Sequence, residues 1–123
     1  MRPKKLSDLV PSEESIQIMI CSYLDLVYPD ILYTATCGGL RTSIKQANKA
    51  KKTGYRKGLP DMIFFEPRKG FHGMCLEVKR DKRSYPSKAQ ETFIDALNGR
   101  DYLAKCVKGF EEAKEALDWY FGK

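Results

Sequence analysis

Residues 58–79 place two acids and a lysine within a pair of short hydrophobic runs, and few folds tolerate that placement. Gly58-Leu59-Pro60-Asp61 leads into Met62-Ile63-Phe64-Phe65, Pro67-Arg68-Lys69-Gly70 supplies a turn, and Met74-Cys75-Leu76-Glu77-Val78-Lys79 follows. Both runs read as strands. Their connection is short, so the simplest pairing is an antiparallel hairpin. Alternation puts Cys75, Glu77 and Lys79 on one face and Met74, Leu76 and Val78 on the other, one charged and one apolar. Asp61 opens the first strand and falls beside the end of the second, near Glu77 and Lys79.

Charge on so apolar a strand is costly unless it is paired or bound to a cation. Two close carboxylates repel each other, and a divalent ion relieves the repulsion. Oxygen ligands without a cysteine or histidine set favour Mg²⁺ or Mn²⁺ over zinc. A lysine beside such an ion places or deprotonates a water, or stabilises charge growing on a phosphate. The plainer alternative is a solvated surface ion cluster worth little to stability. Against it, Leu76 and Val78 bracket Glu77 in a strand that should be central.

The chain of 123 residues is enough for one domain with a real core. Residues 1–11 read as a loose basic arm and residues 12–123 as a single domain. A formal charge of +6 favours a polyanionic partner, and phosphate backbones fit better than anionic membranes. Cys21, Cys37, Cys75 and Cys106 form no CxxC pair and have only His72 to help them, which argues against zinc. The apolar settings of Cys21, Cys75 and Cys106 suit buried free thiols in a reducing compartment. No signal sequence or membrane-spanning run stands out, so the expectation is a soluble cytoplasmic protein without an organic cofactor, in the host cytoplasm if phage-encoded.

Ser12 is a candidate N-cap for a helix to about Val27, with Glu13 and Glu14 in its first turn and Ile16, Ile20, Tyr23, Leu24 and Val27 facing inward. Residues 31–36 have the β-branched and aromatic bias of a strand. From Ile31 to Pro60 there is no acidic residue, while Arg41, Lys45, Lys49, Lys51, Lys52, Arg56 and Lys57 are all basic. If residues 42–53 are helical, Lys45, Lys49, Lys52 and, with one more turn, Arg56 form a stripe leading to Asp61. Such a stripe grips phosphates flanking a scissile bond, or else is a solubilising loop. Tyr55 and Arg56 are candidates for stacking on unpaired bases. Ser87-Lys88-Ala89-Gln90 is a capping box opening a helix that Gly99 stops, with Ala89, Phe93, Ile94 and Leu97 as its core face. A strand over residues 102–107 and a helix over residues 110–121 complete the chain. Trp119 and Phe121 exceed what that helix needs to bury on one side, a weak sign of a dimer contact.

Pro60-Asp61 followed by Glu77-Val78-Lys79 resembles the core motif of the PD-(D/E)XK nucleases. The form Gly-x-Pro-Asp, Glu-x-Lys, then Ser87-x-x-Gln90 opening a helix resembles the VRR-NUC branch in particular. Residues 104–107, Ala-Lys-Cys-Val, hold less valine and arginine than that branch usually shows. The resemblance implies a restriction-endonuclease-like α/β core, a mixed four-stranded sheet flanked by helices. It also implies a divalent-metal-dependent endonuclease, with Asp61, Glu77 and the Val78 carbonyl as ligands and Lys79 acting on the attacking water. An early-helix glutamate joins the metal in that family; Glu13 matches, with Glu14 competing, and the alternative is that both only complement the helix dipole. Gln90 has two roles on offer, capping its own helix or bordering the site, and one side chain is expected to serve one at a time. Stand-alone relatives imply a homodimer acting on branched DNA such as four-way junctions. The competing classes are a catalytically silent DNA-binding module of the same fold and an enzyme acting on RNA.

Overall fold

The computed structural model of the chain describes residues 10–36 and 43–122. Its elements run α1 (Glu13–Val27), β1 (Tyr33–Ala35), α2 (Ile44–Lys52), β2 (Met62–Phe64), β3 (Met74–Lys79), α3 (Lys88–Asn98), β4 (Leu103–Lys108) and α4 (Phe110–Phe121). Arg41 and Cys37 lie outside the described residues, as do residues 1–9 of the expected arm. No helix among the described residues is long and apolar enough to cross a membrane.

The four strands lie in the order β1-β2-β3-β4. The first two pairings are antiparallel and β3–β4 is parallel, so the sheet is mixed. A parallel neighbour requires a crossover, and α3 provides it. The expected hairpin is present: Met62 lies opposite Leu76, Ile63 opposite Cys75 and Phe64 opposite Met74.

Hydrophobic periodicity accounts for the main core. Ile16, Ile20 and Leu24 of α1 and Ala113, Ala116, Leu117 and Tyr120 of α4 are buried with Met62, Phe64, Met74, Leu76, Val78 and Val107 of the sheet. Tyr23 and Val27 were expected inside. Tyr23 is only partly buried, its hydroxyl held at the rim by Asp118, and Val27, in the last turn of α1, is exposed. Tyr23 and Tyr28 donate to Asp118 Oδ1 at 2.5 and 2.8 Å, and Lys114 Nζ lies 2.9 Å from Oδ2, so one carboxylate ties α1 to α4. These donors hold the Asp118 carboxyl below its usual range, the Tyr23 hydroxyl most of all. Phe121 packs on the core, whereas Trp119 is exposed with the Lys69 ammonium 4.9 Å from its ring centre.

The charged face of β3 is covered, with Cys75 and Glu77 as buried as their apolar neighbours. Two further expectations need correction. First, α3 contributes no fully buried residue: Ala89, Phe93, Ile94 and Leu97 are half-buried, so its apolar side is only partly covered. Second, α2 stops at Lys52. Thr53 Oγ1 bonds back to the Lys49 and Ala50 carbonyls, and Gly54 turns away at φ 110°, so Arg56 does not continue the stripe of Lys45, Lys49 and Lys52. The strand edges shift by one or two residues from expectation, β1 most, being only three residues long. Of the described cysteines only Cys75 is fully buried.

At the far edge of the sheet, Asn98 grips β4 with both ends of its amide. Nδ2 donates to the Ala104 carbonyl and Oδ1 accepts from the Ala104 N–H, each at 2.9 Å. On the same strand the Lys108 N–H donates to Glu112 Oε1 at 3.0 Å.

Candidate active site

Extending the β2–β3 register by one residue beyond Met62–Leu76 sets Asp61 opposite Glu77. Because β2 begins only at Met62, the Val78 N–H has no strand partner there. Asp61 Oδ2 accepts it instead at 2.7 Å. A strand residue directs its N–H and C=O to the same side, so the Val78 carbonyl faces Asp61 as well. The Asp61 backbone is fixed from just past β1, where the Thr36 N–H donates to the Asp61 carbonyl at 2.8 Å and Thr36 Oγ1 to the Pro60 carbonyl at 2.7 Å. Thr36 is a positioning residue that the motif did not reveal.

Glu77 is 2% exposed, the one charged residue among the buried ones described. Its Oε1 accepts from Gln90 Nε2 at 2.8 Å and lies 3.6 Å from Lys79 Nζ. Its Oε2 is buried with no partner among the described residues. Burial first, and the Asp61 charge second, push the Glu77 carboxyl up to about 8, while the Lys79 ammonium pulls the other way.

Gln90 does two things at once, contrary to expectation. Its Oε1 accepts from the Ser87 N–H at 2.7 Å, closing the capping box, while its Nε2 reaches Glu77. An amide has an acceptor at one end and donors at the other. The helix cap therefore aims the donor into the site.

A cleft of about 130 Å³ opens here, lined by Tyr55, Lys57, Gly58, Leu59, Asp61, Ser87 and Gln90. Gly58 makes it possible. At φ 97° it adopts a conformation that disfavours side chains, and a Cβ would stand 2.3 Å from the Ala89 carbonyl oxygen. The loop before Asp61 thus rests against the start of α3. Gly58→Ala is expected to cost about 3 kcal/mol from strain and clash. Denaturant titration would show it; an unchanged midpoint would mean the loop relaxes freely.

The structure brings Asp61, Glu77, Lys79, Val78 and Gln90 together, with Tyr55 and Lys57 at the mouth. Lys45, Lys49 and Lys52 lie on α2, exposed, and Arg56 and Lys57 follow it. Glu13 is exposed in the first turn of α1, as is Glu14. No group of three or more His, Cys, Asp or Glu is gathered among the described residues, so Glu13 does not stand with Asp61 and Glu77. The segment before α1 does approach this end of the sheet, since Arg80 Nη2 donates to the Val10 carbonyl at 3.1 Å. Cys106 was missed: the parallel register sets it opposite Glu77. Burial first, then the Glu77 charge, raise its thiol, and burial pushes Cys75 up to about 11. Both thiols stay protonated at neutral pH and are poor metal ligands. His72 is exposed in a turn, its ring against Tyr102.

The residues fit a hard divalent cation. The Asp61 and Glu77 carboxylates lie close enough to interact, and the partnerless buried Oε2 of Glu77 is the kind of atom that a cation satisfies.

No curated protein matches the chain. Among solved structures, one described as a VRR_NUC domain protein superposes with a TM-score of 0.76 at 24% identity, over 91% of this chain and 89% of that one. Another, described as a VRR_NUC domain, gives 0.61 at 19%, over 89% and 99%. Both likenesses show the restriction-endonuclease-like fold. The sequence matches the VRR-NUC domain over residues 14–111. That match spans most of the chain, which therefore belongs to the VRR-NUC family of nuclease-type domains.

Proposed function

We propose that the chain is a divalent-metal-dependent endonuclease hydrolysing DNA phosphodiesters, selective for branched substrates and working as a homodimer. The observation that carries this reading is Glu77: a buried carboxylate with one partnerless oxygen, beside a second acid, a lysine and an amide donor.

Asp61, Glu77 and the Val78 carbonyl would hold Mg²⁺ or Mn²⁺, with no direct ligand from Glu13. Bound there, the ion supplies charge to stabilise the scissile phosphate and lowers the pKa of a water. Lys79 orients the attacking water and holds positive charge next to Glu77. Gln90 fixes the Glu77 carboxylate through Oε1 and leaves Oε2 directed at the ligand side. Lys45, Lys49, Lys52, Arg56 and Lys57 grip flanking phosphates, joined by Arg41, and Tyr55 contacts the nucleotide at the cleft mouth. Two copies, each with one such site, would cut two strands of a junction.

Labelled linear, flap and four-way DNA incubated with Mg²⁺, Mn²⁺ or chelator tests the reading. Cleavage is expected only with metal, strongest on branched DNA, and lower by at least about a hundredfold in Lys79→Ala. Cleavage unaffected by chelator refutes the mechanism; binding without cleavage would instead make the domain a silent DNA-binding module.

A further inference from the structure

The half-buried side of α3 is the least explained surface of the molecule. An amphipathic helix normally spends its apolar stripe on the core, yet here Phe93 and Leu97 floor an open groove of about 790 Å³. The charged side chains lining that groove are Arg56, Lys57, Lys88 and Arg100, with no acid among them. None of the four forms an ion pair with an acid among the described residues. The acids of α3, Glu91 and Asp95, do not line the groove. Lys57 lines both this groove and the cleft containing Asp61 and Gln90, so the two are neighbours.

A basic rim suits phosphates, but an apolar floor suits something else. In a duplex the base faces are stacked inside and only sugars, phosphates and base edges are presented. An unpaired strand exposes base faces, which pack on aromatic and aliphatic side chains. We propose that this groove holds an unpaired segment of nucleic acid next to the cleaved bond, its bases on Phe93 and Leu97 and its phosphates on Lys57, Lys88 and Arg100. The proposal deepens the nuclease reading and rests on it for the path of the strand toward Asp61 and Glu77. It gives that reading a physical basis for preferring branched over fully paired DNA.

The test uses the full chain and the double variant Lys88→Gln/Arg100→Gln, both positions being exposed. Binding of a fluorescent oligothymidylate is measured across a salt series, beside a blunt duplex, in chelator. For the variant, the expected result is an affinity for the unpaired strand lower by about tenfold. The slope of log affinity against log salt should shrink by about 1.4, at roughly 0.7 per lost phosphate contact on a single strand. Duplex affinity should change by less than about threefold. Oligothymidylate carrying 5-iodouracil should photocrosslink to a peptide containing Phe93. Unchanged oligothymidylate affinity, a crosslink elsewhere, or an equal loss on blunt duplex overturns the proposal. So does a change of oligomeric state in the variant with affinity intact, which would assign the groove to a second copy. Should the wild-type chain cleave nothing with metal while the crosslink still maps to α3, the groove stands and the nuclease reading falls.

Discussion

Glu77→Gln is expected to abolish metal-dependent cleavage, by about a thousandfold or more, while leaving the metal-free protein as stable as before or more stable. The two effects separate because they come from different properties of one side chain. The substituting amide has nearly the same shape, and its oxygen still accepts from Gln90. With its carboxyl raised to about 8, the metal-free Glu77 is largely protonated at neutral pH, so the amide replaces one buried neutral group by another. What disappears is the capacity to ionise, and with it the anionic oxygen that the site needs for a cation. Rates on labelled DNA and melting curves in chelator read the two effects separately. Wild-type cleavage in the variant would sink the metal-site assignment. A melting temperature lower by many degrees would show that the Glu77 charge is a structural element of the fold.

A second large effect concerns pH. The Glu77 carboxyl is raised from an ordinary 4.5 to about 8, so its proton is held more tightly in the folded chain than in the unfolded one. Its contribution to stability is complete below about pH 4.5 and is lost as pH climbs through about 8. Without metal, the protein should therefore weaken between about pH 5 and pH 9, by on the order of a few kcal/mol at about 1.4 kcal/mol per unit. A bound cation reverses the trend, because it prefers the ionised form. Binding near pH 7 should release about one proton, and apparent Mg²⁺ or Mn²⁺ affinity should rise with pH and level off above about 8. Calorimetric titration in buffers of different ionisation enthalpy measures the proton directly. A metal-free stability that stays flat from pH 5 to pH 9 would mean that Glu77 is already ionised at neutral pH.

The central pair was legible because both of its determinants are local. Alternation along β3 fixes Glu77 and Lys79 to one face, and a short turn fixes the antiparallel register that brings Asp61 opposite Glu77. The limits of α1 and α3 were legible through the caps Ser12, Ser87 and Gly99. What failed was tertiary. Phe93 and Leu97 carry the spacing of a core stripe, and no local signal distinguishes a stripe that meets a sheet from one left half open. Cys106 was missed because a parallel register is set by a crossover rather than by a turn. Gln90 was treated as a choice between two partners, although the two ends of an amide are different chemical groups. The α2 stripe was overextended because the Thr53 hydroxyl and Gly54 end the helix one turn before Arg56.

The grip of Asn98 on Ala104, with Glu112 holding the Lys108 N–H, bears on how copies of this chain can meet. A sheet margin with vacant amides and carbonyls invites another polypeptide to add a strand, the route to fibrils and to uncontrolled polymers. Here side chains from two helices have already taken two of those outward positions, so self-association by strand addition is discouraged along β4. Copies meeting at this edge must then do so through side-chain surfaces, and a two-fold contact of that kind closes at two subunits.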